Sequence, residues 1–186
     1  AENVNNRMSE FETLVDRTHD NDLKLIIDFV ANHVARDYES DNLPSGVGDL
    51  GANDDVTVEF AIDNNFYYIP GEEFLVPEGY DPLGEDYVGL KEDGEFDENP
   101  AKVTGNDVLS AQPSEYDWFE TVKINYGKDI FDNNTLHFDV ENDVIPDTWY
   151  KMVDIMLYWA GKDVDGFRCD MAGMVPEEFW AWSISQ

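Results

Sequence analysis

Two short apolar segments carry ionisable side chains at spacings that suit nucleophilic and acid–base chemistry. Between Lys24 and His33, the residues Leu25, Ile26, Ile27, Phe29 and Val30 surround one carboxylate, Asp28, and Asn32 and His33 follow directly. Between Asp163 and Asp170, Arg168 and Asp170 stand two apart at the end of a second such run. Each segment reads as a strand, and residues two apart in a strand point to one face. A lone carboxylate in so apolar a run is costly to bury unless it is paired. Asp28, Arg168 and Asp170 are therefore expected to meet at one site built from strand ends. Asp28 alone would read as a buried hydrogen-bond acceptor. The two fixed spacings together favour an active site.

Helices must position these strands. Ser9 to Glu12 has the S-x-x-E form of a capping box, and Phe11, Leu14, Val15 and Thr18 follow at helical spacing, which predicts a helix over about 9–20. A strand over about 24–30 follows. From 34 to 143 Gly, Asn, Asp and Pro recur, with β-prone pieces at 56–60, 65–69 and 136–140 and turn signals at Pro70-Gly71, Asp93-Gly94 and Asn99-Pro100. Pro146 opens a second helix whose apolar face carries Trp149, Met152, Val153, Met156, Leu157 and Ala160, with Gly161 as its stop. A strand over 163–169 completes the order. Helix, strand, long insert, helix, strand is the order of β/α-barrel units, whose chemistry sits at the C-terminal ends of strands. His33 and Asp170 fall at those ends. The chain divides into a barrel part at 1–33, an irregular insertion at 34–143 and a second barrel part at 144–186.

The 186 residues carry a formal charge of −31. Such a field argues against nucleic acid and anionic membranes as partners. It suits a solvated surface, a neutral polyol substrate or a metal site. No run approaches the roughly 20 apolar residues of a membrane-spanning helix, and the residues before the first helix do not read as a signal peptide. Cys169 is the only cysteine, so no intramolecular disulfide forms. It lies on the strand face opposite Arg168 and Asp170, as a small buried apolar group. The acidic stretch Glu92 to Glu98 and the loop Asp49 to Asp55 read as solvated.

Asp28-Phe-Val-Ala-Asn-His33 resembles the first signature region of the α-amylase family of glycoside hydrolases (family 13), and Gly166-Phe-Arg-Cys-Asp170 resembles the second. The run from Gly166 to Trp180 is most similar to a bacterial branch acting on α-glucans or maltodextrins. The resemblance implies an α/β fold: a fragment of a (β/α)8 TIM barrel, from the second helix through domain B, inserted after the third strand, to the fourth strand. It implies a retaining hydrolase of starch-type α-glucans or maltooligosaccharides. Asp170 would be the nucleophile, Arg168 would hold and orient that carboxylate, and Asp28 and His33 would line the sugar subsite. The family's general acid, a glutamate on the fifth strand, and its third essential aspartate have no counterpart in these residues. Glu177 and Glu178 follow Asp170 too closely and read as first-turn helix residues. A non-catalytic carbohydrate-binding fragment is therefore the competing class, and transglycosylation is a variant of the same chemistry.

The resemblance also gives Asn32 as an oxygen ligand of a structural Ca2+ ion, a hard cation that takes oxygen donors. Thr121-Val-Lys-Ile-Asn125 resembles the fifth signature region, with Lys123 where many members carry an aspartate ligand. An ammonium there would repel calcium and take its place, bonding to Asn32 and nearby carboxylates. In the insertion, Phe66, Tyr67, Tyr68, Tyr80, Tyr87, Tyr116, Trp118 and Tyr126 are either sugar-stacking platforms or a small core. Trp149 and Trp159 read as packing. His19 reads as a surface or helix-terminal group, and His137 carries no identifiable partner. Strands 24–30 and 163–169 would be neighbours with open outer edges, which predicts association with the remaining barrel segments or another copy. Glucan hydrolases of this branch are commonly secreted, periplasmic or at the cell surface, which gives an extracytoplasmic leaning.

Overall fold

A computed structural model describes residues 6–40, 43, 45–79 and 96–186. Tyr80, Tyr87, the Asp93-Gly94 turn and Glu92 lie outside the described residues. The elements run α1 (Arg7–His19), β1 (Ile26–Val30), β2 (His33–Ala35), β3 (Tyr68–Ile69), β4 (Ala101–Lys102), β5 (Thr121–Lys123), β6 (Lys128–Asp129), β7 (Thr135–Leu136), α2 (Asp147–Ala160), β8 (Gly166–Asp170) and α3 (Glu177–Ile184).

β1 and β8 pair in parallel, with Asp28 opposite Arg168 and Val30 opposite Asp170. In this register Ile27, Phe29, Phe167 and Cys169 share one face, which packs on the helices. Phe29 is buried and meets Phe167 and Trp180 with ring centroids 6.0 and 6.4 Å apart. The opposite face carries Asp28, Arg168 and Asp170. Expected burial of the whole apolar run fails there: Ile26 is 62% and Val30 39% exposed. Among the described residues no further strand extends this pair.

The main core runs through strand pair, insertion and helices alike. It joins Phe29 and Ala31 to Phe66, Tyr68, Val122, Ile124 and Tyr126, and these to Trp149, Met152, Val153, Val175 and Phe179. The Tyr126 hydroxyl donates to the Ala31 carbonyl at 2.8 Å, and Trp149 Nε1 donates to the Tyr126 carbonyl at 3.1 Å. A second cluster of Phe74, Ala101, Ala111 and Phe119 lies within the insertion. Burying four or five large rings in this way stabilises by roughly 1.5–3 kcal/mol per side chain, which substitutes for long strands.

Several sequence expectations are corrected. α1 starts at Arg7 with Asn6 as its N-cap, so Ser9 lies inside the first turn and donates back to the Asn6 carbonyl at 2.9 Å; there is no capping box. Glu12 instead reaches Lys162 at 2.5 Å. Residues 56–60 form turns, because Asp55 Oδ1 accepts from both the backbone N–H and the hydroxyl of Thr57, a local bond that competes with a ladder. β8 starts three residues later than expected, after Asp163 takes a left-handed conformation at φ 62°. On α2, Leu157 and Ala160 face solvent.

Glu98 is not a solvated loop residue: it is buried against Arg36, whose guanidinium also donates to the Phe119, Lys102 and Thr121 carbonyls. Asp54 likewise accepts from the Asn65 and Phe66 N–H groups and the Tyr68 hydroxyl. The His137 ring packs on Phe60 at 4.9 Å, so it does have a partner. His19 Nε2 lies 2.8 Å from Asp165 Oδ2, which ties the end of α1 to the approach to β8.

Candidate active site

Register alone brings the first three candidates together. Because Asp28 and Arg168 are opposite partners in a parallel pair, both side chains leave the same face. Arg168 reaches Asp28 Oδ2 with one terminal nitrogen at 3.2 Å and Asp170 Oδ1 with the other at 2.9 Å. One planar guanidinium thus fixes two carboxylates, a geometry that a lysine could not supply. Asp28 is paired, but its side chain is 63% exposed, so the burial cost expected to force that pairing is absent. The face therefore holds two carboxylates and one cation open to solvent.

His33 enters from beyond the end of β1. Its pKa is lowered by burial, and Lys123 lowers it further, whereas the nearby Asp170 charge opposes both. His33 thus lies within the electrostatic reach of Asp170. Asn32, fully buried, organises this edge. Lys123 Nζ donates to Asn32 Oδ1 at 2.5 Å, and Asn32 Nδ2 donates to the Gly105 carbonyl at 2.8 Å. An ammonium can only donate and a carbonyl can only accept, so the orientation of the Asn32 amide is determined. The same Nδ2 lies 3.2 Å from His33 Nδ1. With a donor facing Nδ1, the neutral ring carries its proton on Nε2, free to donate to a hydroxyl.

Lys123 stands opposite His33 in the antiparallel β2–β5 pair. Besides Asn32 it engages Asp107 Oδ1 at 2.9 Å and the Met174 carbonyl at 3.3 Å. Burial pushes its pKa down, and Asp107 pushes it up. Asp107 and the Met174 carbonyl had no sequence signal beyond a Thr-Gly-Asn-Asp turn and a residue shortly after Asp170. Gly105 was likewise unmarked, but a Cβ there would sit 2.4 Å from Thr121 Oγ1 and 3.0 Å from His33 Cβ, so only glycine lets this turn close on His33.

Cys169 packs against the core, and burial raises its thiol pKa. Glu177 and Glu178 lie in the first turn of α3, behind Pro176. Of the aromatic candidates, Phe66, Tyr67, Tyr68 and Tyr126 are buried, whereas Tyr116 and Trp118 are exposed. Trp159 stacks edge-on with Phe11 at 5.1 Å as packing. No described helix is long and apolar enough to cross a membrane.

Comparison with known proteins bears on the family of this chain. Two curated α-1,4-glucan:maltose-1-phosphate maltosyltransferases of Cereibacter sphaeroides are each 33% identical over 82 residues, 42% of this chain. The match spans only 14% and 12% of their respective lengths. No solved structure gives a significant match. The family model for the α-amylase catalytic domain matches residues 5–182, nearly the whole sequence, and the chain belongs to that family.

Proposed function

We propose that this chain forms part of a retaining α-glucan-active enzyme, with Asp170 as nucleophile and Asp28, His33 and Arg168 completing the sugar subsite. The supporting observation is the guanidinium of Arg168, which holds Asp28 and Asp170 on one exposed strand face. In a (β/α)8 barrel such a face looks into the barrel mouth, where the active site lies. Residues 34–143 then correspond to domain B.

In the first step an Asp170 oxygen attacks the anomeric carbon and the glycosidic C–O bond breaks. The departing oxygen takes a proton from a carboxylic acid supplied outside these residues. In the second step water, or a sugar hydroxyl, attacks the anomeric carbon and displaces Asp170, while the same outside carboxylate, now the base, takes the attacker's proton. His33 Nε2–H donates to a substrate hydroxyl, and Arg168 keeps the Asp170 oxygens aimed. Transfer to a sugar hydroxyl is the second reading, favoured by the likeness to proteins named as maltosyltransferases.

Calcium, which the family implies at Asn32, does not fit this site. The Lys123 ammonium already occupies the position among Asn32 Oδ1, Asp107 Oδ1 and the Met174 carbonyl where a hard cation would need those oxygens. Lys123 acts there as a built-in cation joining β2, β5 and the turn after β8.

The test is intact-mass spectrometry after incubation with 5-fluoro-α-glucosyl fluoride, a substrate whose fluoride leaves with little help from an acid. One fluoroglucosyl adduct, absent in Asp170→Asn and slowed in Arg168→Met, is expected. An adduct that persists in Asp170→Asn, or no adduct on folded protein, would overturn the assignment.

A further inference from the structure

We infer that Trp118 forms a stacking platform for a second glucosyl unit of an α-glucan, adjacent to the His33 subsite. The inference rests on the sugar-site reading above and extends it to chain-length preference.

The Trp118 ring lies 5.4 Å from the His33 ring, tilted by 60°. It is 36% exposed, and Tyr116 is 86% exposed, whereas the other described aromatics of the insertion that the sequence singled out are buried. Core packing thus accounts for those rings and not for these two. An indole face beside a hydroxyl-binding imidazole offers a sugar its C–H surface and a donor together.

The loop is held rather than loose. Asp117 Oδ2 accepts from the Ser114 N–H and hydroxyl, both at 2.8 Å. Asn106 clamps it from the other side: Oδ1 accepts the Trp118 N–H at 3.2 Å, and Nδ2 donates to Asp117 Oδ1 at 3.4 Å. The Trp118 carbonyl takes both the Thr121 N–H at 3.0 Å and its hydroxyl at 2.8 Å. Asn106 belongs to the turn that Gly105 lets approach His33, so platform and imidazole share one support. A ring fixed in advance loses little freedom when a ligand stacks on it.

The test is an NMR titration of the longest form the gene encodes with glucose, maltose and maltotriose, run on the unaltered protein, Trp118→Ala and Trp118→Phe. The unaltered protein is expected to bind maltotriose more tightly than glucose. Trp118→Ala should weaken maltotriose by roughly 3- to 10-fold while glucose moves less than about twofold. Trp118→Phe keeps a ring and should retain most of the length preference. Equal weakening of glucose and maltotriose, or no change in either, overturns the platform. Fluoroglucosyl labelling of the unaltered protein separates the two levels. If Asp170 is labelled and the length preference ignores Trp118, the platform alone is wrong. If Asp170 is not labelled, the sugar-site reading falls and takes the platform with it.

Discussion

Replacing Lys123 by Met isolates what the buried ammonium does. The side chain is only 6% exposed, and its shortest bond is to Asn32 Oδ1, an atom of a residue with no exposure at all. Two effects oppose each other. Removing a desolvated charge relieves a cost, which the lowered pKa of Lys123 reflects. Removing the donor leaves a buried amide oxygen unsatisfied, at about 1–3 kcal/mol. Asp107, with a side chain 42% exposed, rehydrates and adds little. The donor loss should win, with a net destabilisation of about 2 kcal/mol, equivalent to a fall in Tm of about 4–8 °C for a chain of this size. The measurement is thermal unfolding by circular dichroism in two backgrounds. In Asn32→Ala the orphaned oxygen is gone, so Lys123→Met should there cost less than about 0.5 kcal/mol. An equal fall in both backgrounds would refute the argument, since the cost would then lie in Asp107 or in packing. Added Ca2+ or a chelator should leave the Tm of the unaltered protein unchanged, while a calcium-dependent rise would show that Lys123 does not hold the cation position.

Arg36→Met should be more damaging, because it leaves the buried Glu98 carboxylate, among the described residues, with Lys102 alone, through its backbone N–H at 2.6 Å and its ammonium at 3.1 Å. Breaking such a pair costs about 3–5 kcal/mol, and changing both partners to apolar residues should cost less than the single change, as urea unfolding would show. His33 should titrate below 6.5, the ordinary value, because burial disfavours its charged form. Between its folded value and 6.5 the unfolded chain binds more protons, so this part of stability falls as pH drops through that window; the His33 ring signals in NMR and the pH profile of His33→Asn check it. Asp165 is held down to about 2 by the His19 ring and the Leu25 N–H, so its contribution is present above 3.8 and lost as pH falls towards 2. Asp165→Asn should therefore lower Tm near neutrality and not at pH about 2.

How much of this the sequence disclosed depended on whether the signal was local. The strand pair and the helix before each strand were legible because period-two and period-3.6 patterns and the Pro146 start are properties of adjacent residues. Pairing of Asp28, Arg168 and Asp170 was legible from their spacing along two neighbouring strands, although with Asp28 63% exposed the burial cost that argued for the pair is absent. The insertion was not. Its short strands are fixed by distant bonds such as Arg36 to Glu98 and Asn65 to Asp54, and 56–60 has strand composition but lost its ladder to Asp55. Glu98 looked like one more solvated acid in a chain of net charge −31, and nothing near it in sequence marks Arg36 as its partner. Exposure of Ile26 and Val30 was equally invisible, since an apolar strand carries no record of which neighbour covers it.

The shared core gives the insertion a direct hold on the candidate chemistry. Ala31, between the strand that bears Asp28 and the His33 edge, is fully buried and is bonded through its carbonyl to Tyr126, which lies near the end of the insertion. Lys123, three residues earlier, grips Asn32 on one side and the Met174 carbonyl, four residues beyond Asp170, on the other. The two strand ends that carry the candidate residues are thus joined twice: along their ladder, and across the insertion. A change in β5 should reach Asp170 and His33 together, so variants at Lys123 or Tyr126 are expected to alter fluoroglucosyl labelling without touching the sugar. Labelling rates unchanged in Lys123→Met, despite its lower Tm, would show instead that the β1–β8 ladder positions the nucleophile unaided.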